Sequence, residues 1–163
     1  MIIGWIVLPL IGLLYLRFAY VPVAVNGPVI PFEELLAGTA VQARIAREAP
    51  VKAAIPPSEE NLVAGAAIYS EHCVECHGLP GATASIASKG MYPPPPQFFE
   101  RKVMGNDPVG QNYWIVANGI RLTGMPGYRQ SLSDQQLWEV SQFLSNRQAL
   151  PKGARDLLSR PAK

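Results

Sequence analysis

Both cysteines and both histidines of this 163-residue chain lie in one short stretch, "HCVECH" at residues 72–77. Cys73 and Cys76 are separated by two residues, and His72 and His77 flank them directly. Closely spaced side chains of these kinds serve three chemistries: a disulfide or redox pair, a zinc site, or covalent attachment of a haem. This stretch constrains the fold most, because the rest of the chain has to enclose whatever group it binds.

The order of the residues favours haem among these three chemistries. Cys73-Val-Glu-Cys76-His77 is the attachment signature of a c-type haem, in which two thiols add to the vinyl groups and the adjacent histidine ligates iron. Structural zinc sites usually join two separated pairs of ligands, whereas these four side chains share one segment. A thioredoxin-like redox pair needs an α/β context, and no strand is convincing in this sequence. We therefore predict one covalent haem c held through Cys73 and Cys76, with His77 on the iron and His72 incidental.

A second iron ligand is expected, because a low-spin electron-transfer haem usually has an axial Met or His opposite the first histidine. His72 is excluded, since its neighbours are tied to the other face of the ring. Met125 stands in "LTGMPGY", where the glycines let the backbone approach a ring and the proline fixes the loop. We predict Met125 as the ligand, with Met104 and Met91 as the remaining candidates outside the apolar N-terminal segment.

The N-terminal segment, residues 1–25, is almost entirely apolar, and Arg17 is its only charged residue. As a helix rising about 1.5 Å per residue, it is long enough for a bilayer core of about 30 Å. A secretory signal peptide is the alternative, but it would show basic residues before the apolar run and a small-x-small site after it. We predict a transmembrane anchor kinked at Pro9, with Arg17 snorkelling to the interface or touching a partner.

Residues 26–57 are predicted to form an amphipathic helix over 32–48, followed by a proline-bearing linker. The helix is expected on the membrane surface or against a partner, and the folded domain is expected to begin after the linker. At the other end of the chain, the basic tail over residues 151–163 is expected to be loosely held.

The domain between these ends is predicted to be all-α. Ser58 is a suitable N-cap for a helix over 59–72 that runs directly into the cysteines, and a short helix is expected around 111–118. Ser133 opens the last strong helix, with Gln136 completing a capping-box pattern. Apolar stripes on the first and last of these helices are expected to face the core: Leu62, Ala66, Tyr69, Leu137, Val140, Phe143 and Leu144.

Three stretches, "AGAAIYSEHCVECHG", "GIRLTGMPGY" and "LSDQQLWEVSQFLSN", together resemble class I monohaem cytochromes c. The likeness is greatest to cytochrome c domains attached to membrane-bound respiratory complexes, and it covers about residues 58–150. It implies a class I cytochrome c fold in which the first and last helices cross, with Gly65 and Tyr69 near Trp138 and Phe143.

The resemblance also implies weaker site assignments. In such cytochromes a backbone carbonyl after the attachment site, often that of a proline, orients the ligating histidine. The four-proline run at residues 93–96 is the expected source, and Pro94 is our choice within it, although this run departs from the simpler family pattern. Tyr113, Trp114 and Arg121 are candidates for packing on the haem or pairing with its propionates.

The predicted function is one-electron transfer, with the haem domain on the periplasmic (outer) face of a bacterial inner membrane. Methionine ligation raises the potential relative to bis-histidine ligation, so the haem is expected to accept electrons from a quinol-oxidising complex and to donate them to a terminal oxidase or comparable acceptor. A fixed subunit of a respiratory complex is favoured over an independent tethered shuttle, and a haem-based sensor is a third possibility. A net charge of +2 without a basic stripe speaks against nucleic-acid binding, and no catalytic constellation indicates an enzyme acting by itself.

Overall fold

The computed structural model describes residues 2–100 and 107–159, with side chains from residue 6 onward. Within these residues the secondary structure is helical and contains no strand. The chain forms two compact units, Met1–Leu36 and Ala37–Lys163. The helices are α1 (Ile2–Phe18), α2 (Glu33–Glu48), α3 (Glu59–His72), α4 (Val74–His77), α5 (Ile86–Lys89), α6 (Val109–Asn118), α7 (Asp134–Ser145) and α8 (Lys152–Leu158).

The first unit contains α1, whose described side chains, from residue 6 to residue 18, are all exposed. The helix includes Pro9 and ends at Phe18, so it stops short of the predicted end at Val25. The physical reason is Pro22, which lacks the N–H that would bond to the Phe18 carbonyl and continue the helix. Among the described residues, no helix is both long enough and apolar enough to span a membrane, so the predicted anchor is not supported.

The end of α2 and the predicted proline-bearing linker after it pack against α6 and α7. The indole of Trp114 on α6 donates a hydrogen bond to the Glu48 carboxylate at 3.1 Å, at the end of α2. The backbone of Pro50 approaches Gly110 so closely that a Cβ there would lie 1.8 Å from the Pro50 carbonyl oxygen. The side-chain amide of Gln142 donates to the carbonyl of Ile55 at 2.6 Å. These contacts hold residues 48–55 against the rest of the second unit.

The core lies where α3 and α7 cross, as the sequence predicts. The crossing requires glycine at position 65, because a Cβ there would lie 2.2 Å from the Glu139 carbonyl oxygen and 2.7 Å from the Phe143 Cβ. The rings of Tyr69 and Phe143 pack with centroids 5.1 Å apart. All seven residues of the predicted apolar stripes are buried. The predicted caps are confirmed as well: Ser58 caps α3, and Ser133 forms a capping box with Gln136 at the start of α7.

The C-terminal tail is not loosely held over its described part, so that prediction is wrong. It forms α8, which packs against α3 and buries Ala154 and Leu158. Sequence patterns do not predict α8, because the helix is short and because Gly153 lowers its intrinsic helical stability. Packing stabilises it instead: a Cβ on Gly153 would lie 3.1 Å from a methyl group of Val63 on α3.

Candidate functional site

The attachment segment continues directly from α3 into the single turn α4. The Cys73 N–H donates to the Tyr69 carbonyl at 2.9 Å and closes α3, and the His77 N–H donates to the Cys73 carbonyl at 2.9 Å. The two cysteines and His77 therefore share one helical turn. Both thiols are free and partly buried. Burial, and to a lesser degree the neighbouring Cys76, raises the pKa of the Cys73 thiol to about 12.

His77 is buried, with 8% of its surface exposed, and its Nδ1 lies 2.9 Å from the Pro96 carbonyl oxygen. A carbonyl only accepts hydrogen bonds, so Nδ1 carries the proton and the lone pair is left on Nε2. Burial lowers the pKa of His77, and the bond to Pro96 offsets only part of that shift. The imidazole is thus held neutral, in the tautomer that a metal ligand needs.

The carbonyl that orients His77 comes from the predicted proline run, but from Pro96 rather than Pro94. Successive carbonyls of an extended proline run point in different directions, because that conformation has three residues per turn. The neighbouring Pro95 carbonyl accepts a hydrogen bond from the Gln97 amide at 3.1 Å. Only the path of the folded chain decides which carbonyl of such a run meets the imidazole.

Aromatic rings enclose the imidazole on the side of the core. The Phe98 ring stacks on His77, with centroids 4.5 Å apart and planes inclined by 16°. The Tyr69 hydroxyl donates to the Gly78 carbonyl at 2.7 Å, directly after the histidine. This contact holds the chain as it leaves the attachment segment, and the stacked ring limits the access of water to the imidazole.

Gln97 was not among the predicted site residues, yet it supports the attachment segment. Its amide nitrogen lies 2.9 Å from the Cys76 carbonyl oxygen and 3.0 Å from the Ser88 hydroxyl. The carbonyl oxygen of the same side chain lies against Gly78, where a Cβ would approach it to 2.7 Å. A single glutamine after a proline run carries no pattern that sequence reasoning can detect.

The predicted methionine ligand lies on a loop that folds back onto the end of α6. The Ile120 N–H donates to the Met125 carbonyl at 3.1 Å, and the Tyr128 N–H donates to the Val116 carbonyl at 2.9 Å. The two backbone segments approach closely at Gly119, where a Cβ would lie 2.6 Å from the Gly127 nitrogen. Backbone pairing of this kind holds the loop in a single path.

Met125 itself is partly buried and packs against the core. Its N–H donates to the Thr123 hydroxyl at 3.1 Å, and that hydroxyl donates in turn to the Ile120 carbonyl at 2.7 Å. Met91, one of the alternative ligands, lies beside the same loop, since a Cβ on Gly124 would be 2.8 Å from the Met91 sulfur. Met104 lies outside the described residues, and Met125 as the iron ligand stays a prediction.

A direct contact joins the methionine loop to the attachment segment. The Tyr128 hydroxyl donates to the His72 carbonyl at 3.0 Å, and the rings of these two residues lie 5.9 Å apart between centroids. His72, predicted to be incidental as a ligand, thus provides a backbone anchor for the loop. Two free thiols, an imidazole with Nδ1 already bound and a thioether on a connected loop fit the binding of a c-type haem.

The three weaker candidates have other surroundings in the structure. Tyr113 stacks on Trp138 at 4.1 Å between ring centroids, and its hydroxyl donates to the Asp134 carboxylate. The indole of Trp114 donates a hydrogen bond to Glu48 at the end of α2. Arg121 is exposed, with no hydrogen bond or ion pair to the described residues. Contacts of these three residues with a haem stay predictions.

Comparison with known proteins places the same region in a family. The family described as cytochrome c oxidase, cbb3-type, subunit III matches residues 60–144, a range that includes the attachment segment and the methionine loop. A thiosulfate dehydrogenase of Allochromatium vinosum is 34% identical over 87 residues, which are 53% of this chain. The match covers only 31% of that relative's length.

Proposed function

Because the chain belongs to the cbb3-type subunit III family of cytochrome c domains, which transfer electrons through haem, we propose that it carries one haem c with His/Met ligation. Cys73 and Cys76 attach the haem, and His77 and Met125 ligate its iron. The observation that carries this proposal is the arrangement of His77: its Nδ1 is bound to a carbonyl, no described residue hydrogen-bonds its Nε2, and two thiols share its turn.

When bound, the haem supplies an iron couple that gains and loses one electron. The residues of the chain bind this group, orient it and exclude water. The Pro96 carbonyl fixes the orientation of the imidazole, and the Phe98 ring covers one of its faces. Thr123 and the paired backbone hold the thioether of Met125 in place. Because both ligands lie on supported segments, little of the chain has to move when the charge changes.

The methionine ligand is tested by replacing Met125 with alanine in the full chain. Met125→Ala should keep the haem attached, since both thiols remain, but convert it to a high-spin or misligated form. Mass spectrometry checks the attachment, and the absorption spectrum checks the spin state. Met91→Ala is the matched control and should keep the spectrum of the native protein. An unchanged spectrum in Met125→Ala would contradict the assignment of Met125 as the iron ligand, and Met91 and Met104 would be tested next.

A haem-based sensor is distinguished by its response to carbon monoxide. A sensor needs an open or labile position on the iron, whereas His77 and Met125 would both be held as ligands in the proposed ligation. The spectrum of the reduced protein at neutral pH should therefore be unchanged by carbon monoxide. A shift of that spectrum would favour the sensor and count against electron transfer as the main role.

We also propose that the protein is a subunit of a membrane-bound redox complex, with its haem domain on the periplasmic face. The matched family is described as a subunit of an oxidase, which supports a fixed assembly. Exposed apolar side chains along α1, continued by Phe32, Leu35 and Leu36, offer a surface for a membrane or a partner. Through this subunit, electrons would pass from a quinol-oxidising complex to a terminal oxidase or a comparable acceptor.

Native gel separation after extraction in mild detergent tests the assembly. Haem staining in a band that contains quinol-oxidising or oxygen-reducing subunits is the expected result. A small isolated haem band that persists across several mild detergents would indicate a tethered shuttle instead. Washing membranes with alkaline carbonate tests the attachment: release of the protein without detergent would contradict an integral anchor.

A further inference from the structure

A buried positive charge lies close to the predicted iron ligand. Arg147 follows α7, and only 3% of its side chain is exposed. Its Nη1 donates to the Leu144 carbonyl at 2.7 Å, and its Nη2 lies 3.7 Å from the Asp107 carboxylate. More than half of the Asp107 side chain is exposed, so solvent screens the charge of this carboxylate. The positive charge of Arg147 is therefore offset only in part by this carboxylate.

One aromatic ring separates this charge from the imidazole of His77. The guanidinium carbon lies over the Phe98 ring, 5.5 Å from its centroid. The same ring stacks on His77 at 4.5 Å. The guanidinium carbon therefore lies no farther from the centre of the imidazole than the sum of these two distances. The Phe98 ring between the guanidinium and the imidazole excludes water. Charges interact more strongly across such a water-poor space than at the surface.

The field of Arg147 also reaches a second group beside the site. Burial raises the pKa of Tyr69, and the positive charge of Arg147 opposes that rise. The Tyr69 hydroxyl is bound to the carbonyl of Gly78, the residue directly after His77. The contact of the guanidinium with the Phe98 ring thus brings the cation to the histidine side of the site, and the direction of its effect on the pKa of Tyr69 agrees with that position.

We propose that Arg147 raises the reduction potential of the haem, an inference that rests on the proposed His77 ligation. Loss of an electron adds one positive charge at the iron, and a nearby fixed positive charge disfavours that oxidised state. Reduction requires only the transferred electron, so no further reactant is involved. Two unit charges about 12 Å apart at an effective dielectric constant of about 20 change such an equilibrium about tenfold. The opposing carboxylate of Asp107 makes the net effect smaller.

The test is a redox titration of the haem-loaded full chain, followed by its absorption spectrum. Arg147→Gln removes the charge and should lower the equilibrium constant for reduction severalfold, up to about tenfold, which corresponds to a fall of about 59 mV. Arg147→Lys keeps the charge and should retain most of the native potential. Arg44→Gln removes an exposed arginine charge from α2 and should leave the potential unchanged.

Asp107→Asn makes the test independent of the stability of Arg147 variants. It removes the opposing charge from an exposed side chain and should raise the potential, by less than Arg147→Gln lowers it. High salt should shrink this rise, because it screens exposed charges. A purely structural role for Arg147 predicts no fall in potential for Arg147→Gln that Arg147→Lys, which keeps the charge, avoids.

The outcomes separate this inference from the proposed function. Unchanged or raised potential in Arg147→Gln, with haem attached and the native ligation spectrum retained, overturns the inference alone. If Arg147→Gln does not fold, Asp107→Asn decides: a rise supports the inference, and no change or a fall overturns it. A native chain without attached haem, or with a spectrum excluding His77 ligation, overturns the proposed function itself.

Discussion

The two segments that carry the predicted iron ligands are held in place by different means. Around His77 the supports are side chains: the Tyr69 hydroxyl, the Gln97 amide and the stacked Phe98 ring. Around Met125 the supports are mainly backbone hydrogen bonds and the close approach of two chain segments. A side chain can shift to relieve a misfit, whereas paired backbone cannot. The methionine loop should therefore be the less tolerant of added atoms.

The two segments also differ in exposure. His77 is 8% exposed, whereas Leu122, three residues before Met125, is 94% exposed and has a φ of 62°. A leucine in this left-handed region costs about 1–2 kcal/mol relative to ordinary backbone. The histidine side is thus enclosed, and the methionine side carries backbone strain at its surface.

The largest effect is expected for Gly119→Ala in the methionine loop. Gly119 has a φ of 67°, and its new Cβ would lie 2.6 Å from the Gly127 nitrogen and the Pro126 carbonyl carbon. Strain in the left-handed region and overpacking should together lower the free energy of unfolding by about 3 kcal/mol. Guanidinium unfolding measures this loss, and the rate at which added imidazole replaces the proposed Met125 ligand in the haem-loaded protein should rise.

Gly78→Ala is the matched control on the histidine side, since Gly78 also has a positive φ, 74°. Its new Cβ would meet only the end of the Gln97 side chain, which can move. The loss should be about 1–2 kcal/mol, mainly from backbone strain, because the Gln97 oxygen can turn away from the new Cβ more easily than paired backbone can. A loss as large as that of Gly119→Ala would contradict the comparison.

Tyr69→Phe tests the side-chain support of the attachment segment. It removes the hydrogen bond to the Gly78 carbonyl and should lower the free energy of unfolding by about 1–2 kcal/mol at neutral pH. The pKa of Tyr69 is raised from 10.0 by burial, so above pH 10 the unfolded chain loses a proton that the folded protein keeps. The free energy of unfolding of the native protein therefore falls as the pH rises above 10. The free energy of unfolding of Tyr69→Phe lacks this pH dependence, because the variant has no hydroxyl at this position.

The gap in stability between native protein and Tyr69→Phe should thus narrow above pH 10, where Tyr69 ionises in the unfolded chain. Denaturant unfolding at a series of pH values measures the gap directly. A gap that stays constant or widens would show that Tyr69 does not remain protonated in the folded protein.

Thr123→Val tests the side-chain support next to Met125 within the methionine loop. It removes the hydroxyl that accepts from the Met125 N–H and donates to the Ile120 carbonyl. The expected loss is about 1 kcal/mol, because the backbone pairing remains. Exchange of the methionine for imidazole should become faster, and Thr123→Ser should restore the native rate. An exchange rate unchanged in Thr123→Val would show that the Thr123 hydroxyl is not needed to hold Met125 in place.

The smallest effect, and the only stabilising one, is expected for Leu122→Asn. Asparagine tolerates a positive φ better than leucine does, and the exposed side chain of Leu122 loses little packing. The gain should be about 0.5 kcal/mol in thermal or denaturant unfolding. Ile86→Asn is the control, because Ile86 is 91% exposed but begins a short helix. Equal gains in the two variants would remove backbone strain as the cause.

Local patterns predicted the helices that build the core. The Ser58 cap and the Ser133 capping box depend on residues three positions apart, and the apolar stripes of α3 and α7 follow a helical period. Both kinds of signal depend on residues that lie close together in the sequence. By contrast α8 depends on contact with α3, far away in sequence, and its own residues give no strong signal.

The sequence by itself determined the composition of the attachment turn and its family, because Cys73, Cys76 and His77 lie within one helical turn. Tertiary structure alone decided that Pro96 meets His77 and that Arg147 lies over Phe98. Nineteen positions separate His77 from Pro96, and the chain between them is largely irregular. Such contacts follow from the path of a loop and the packing of helices that are distant in the sequence. Neither produces a repeating residue pattern from which the contact could be predicted.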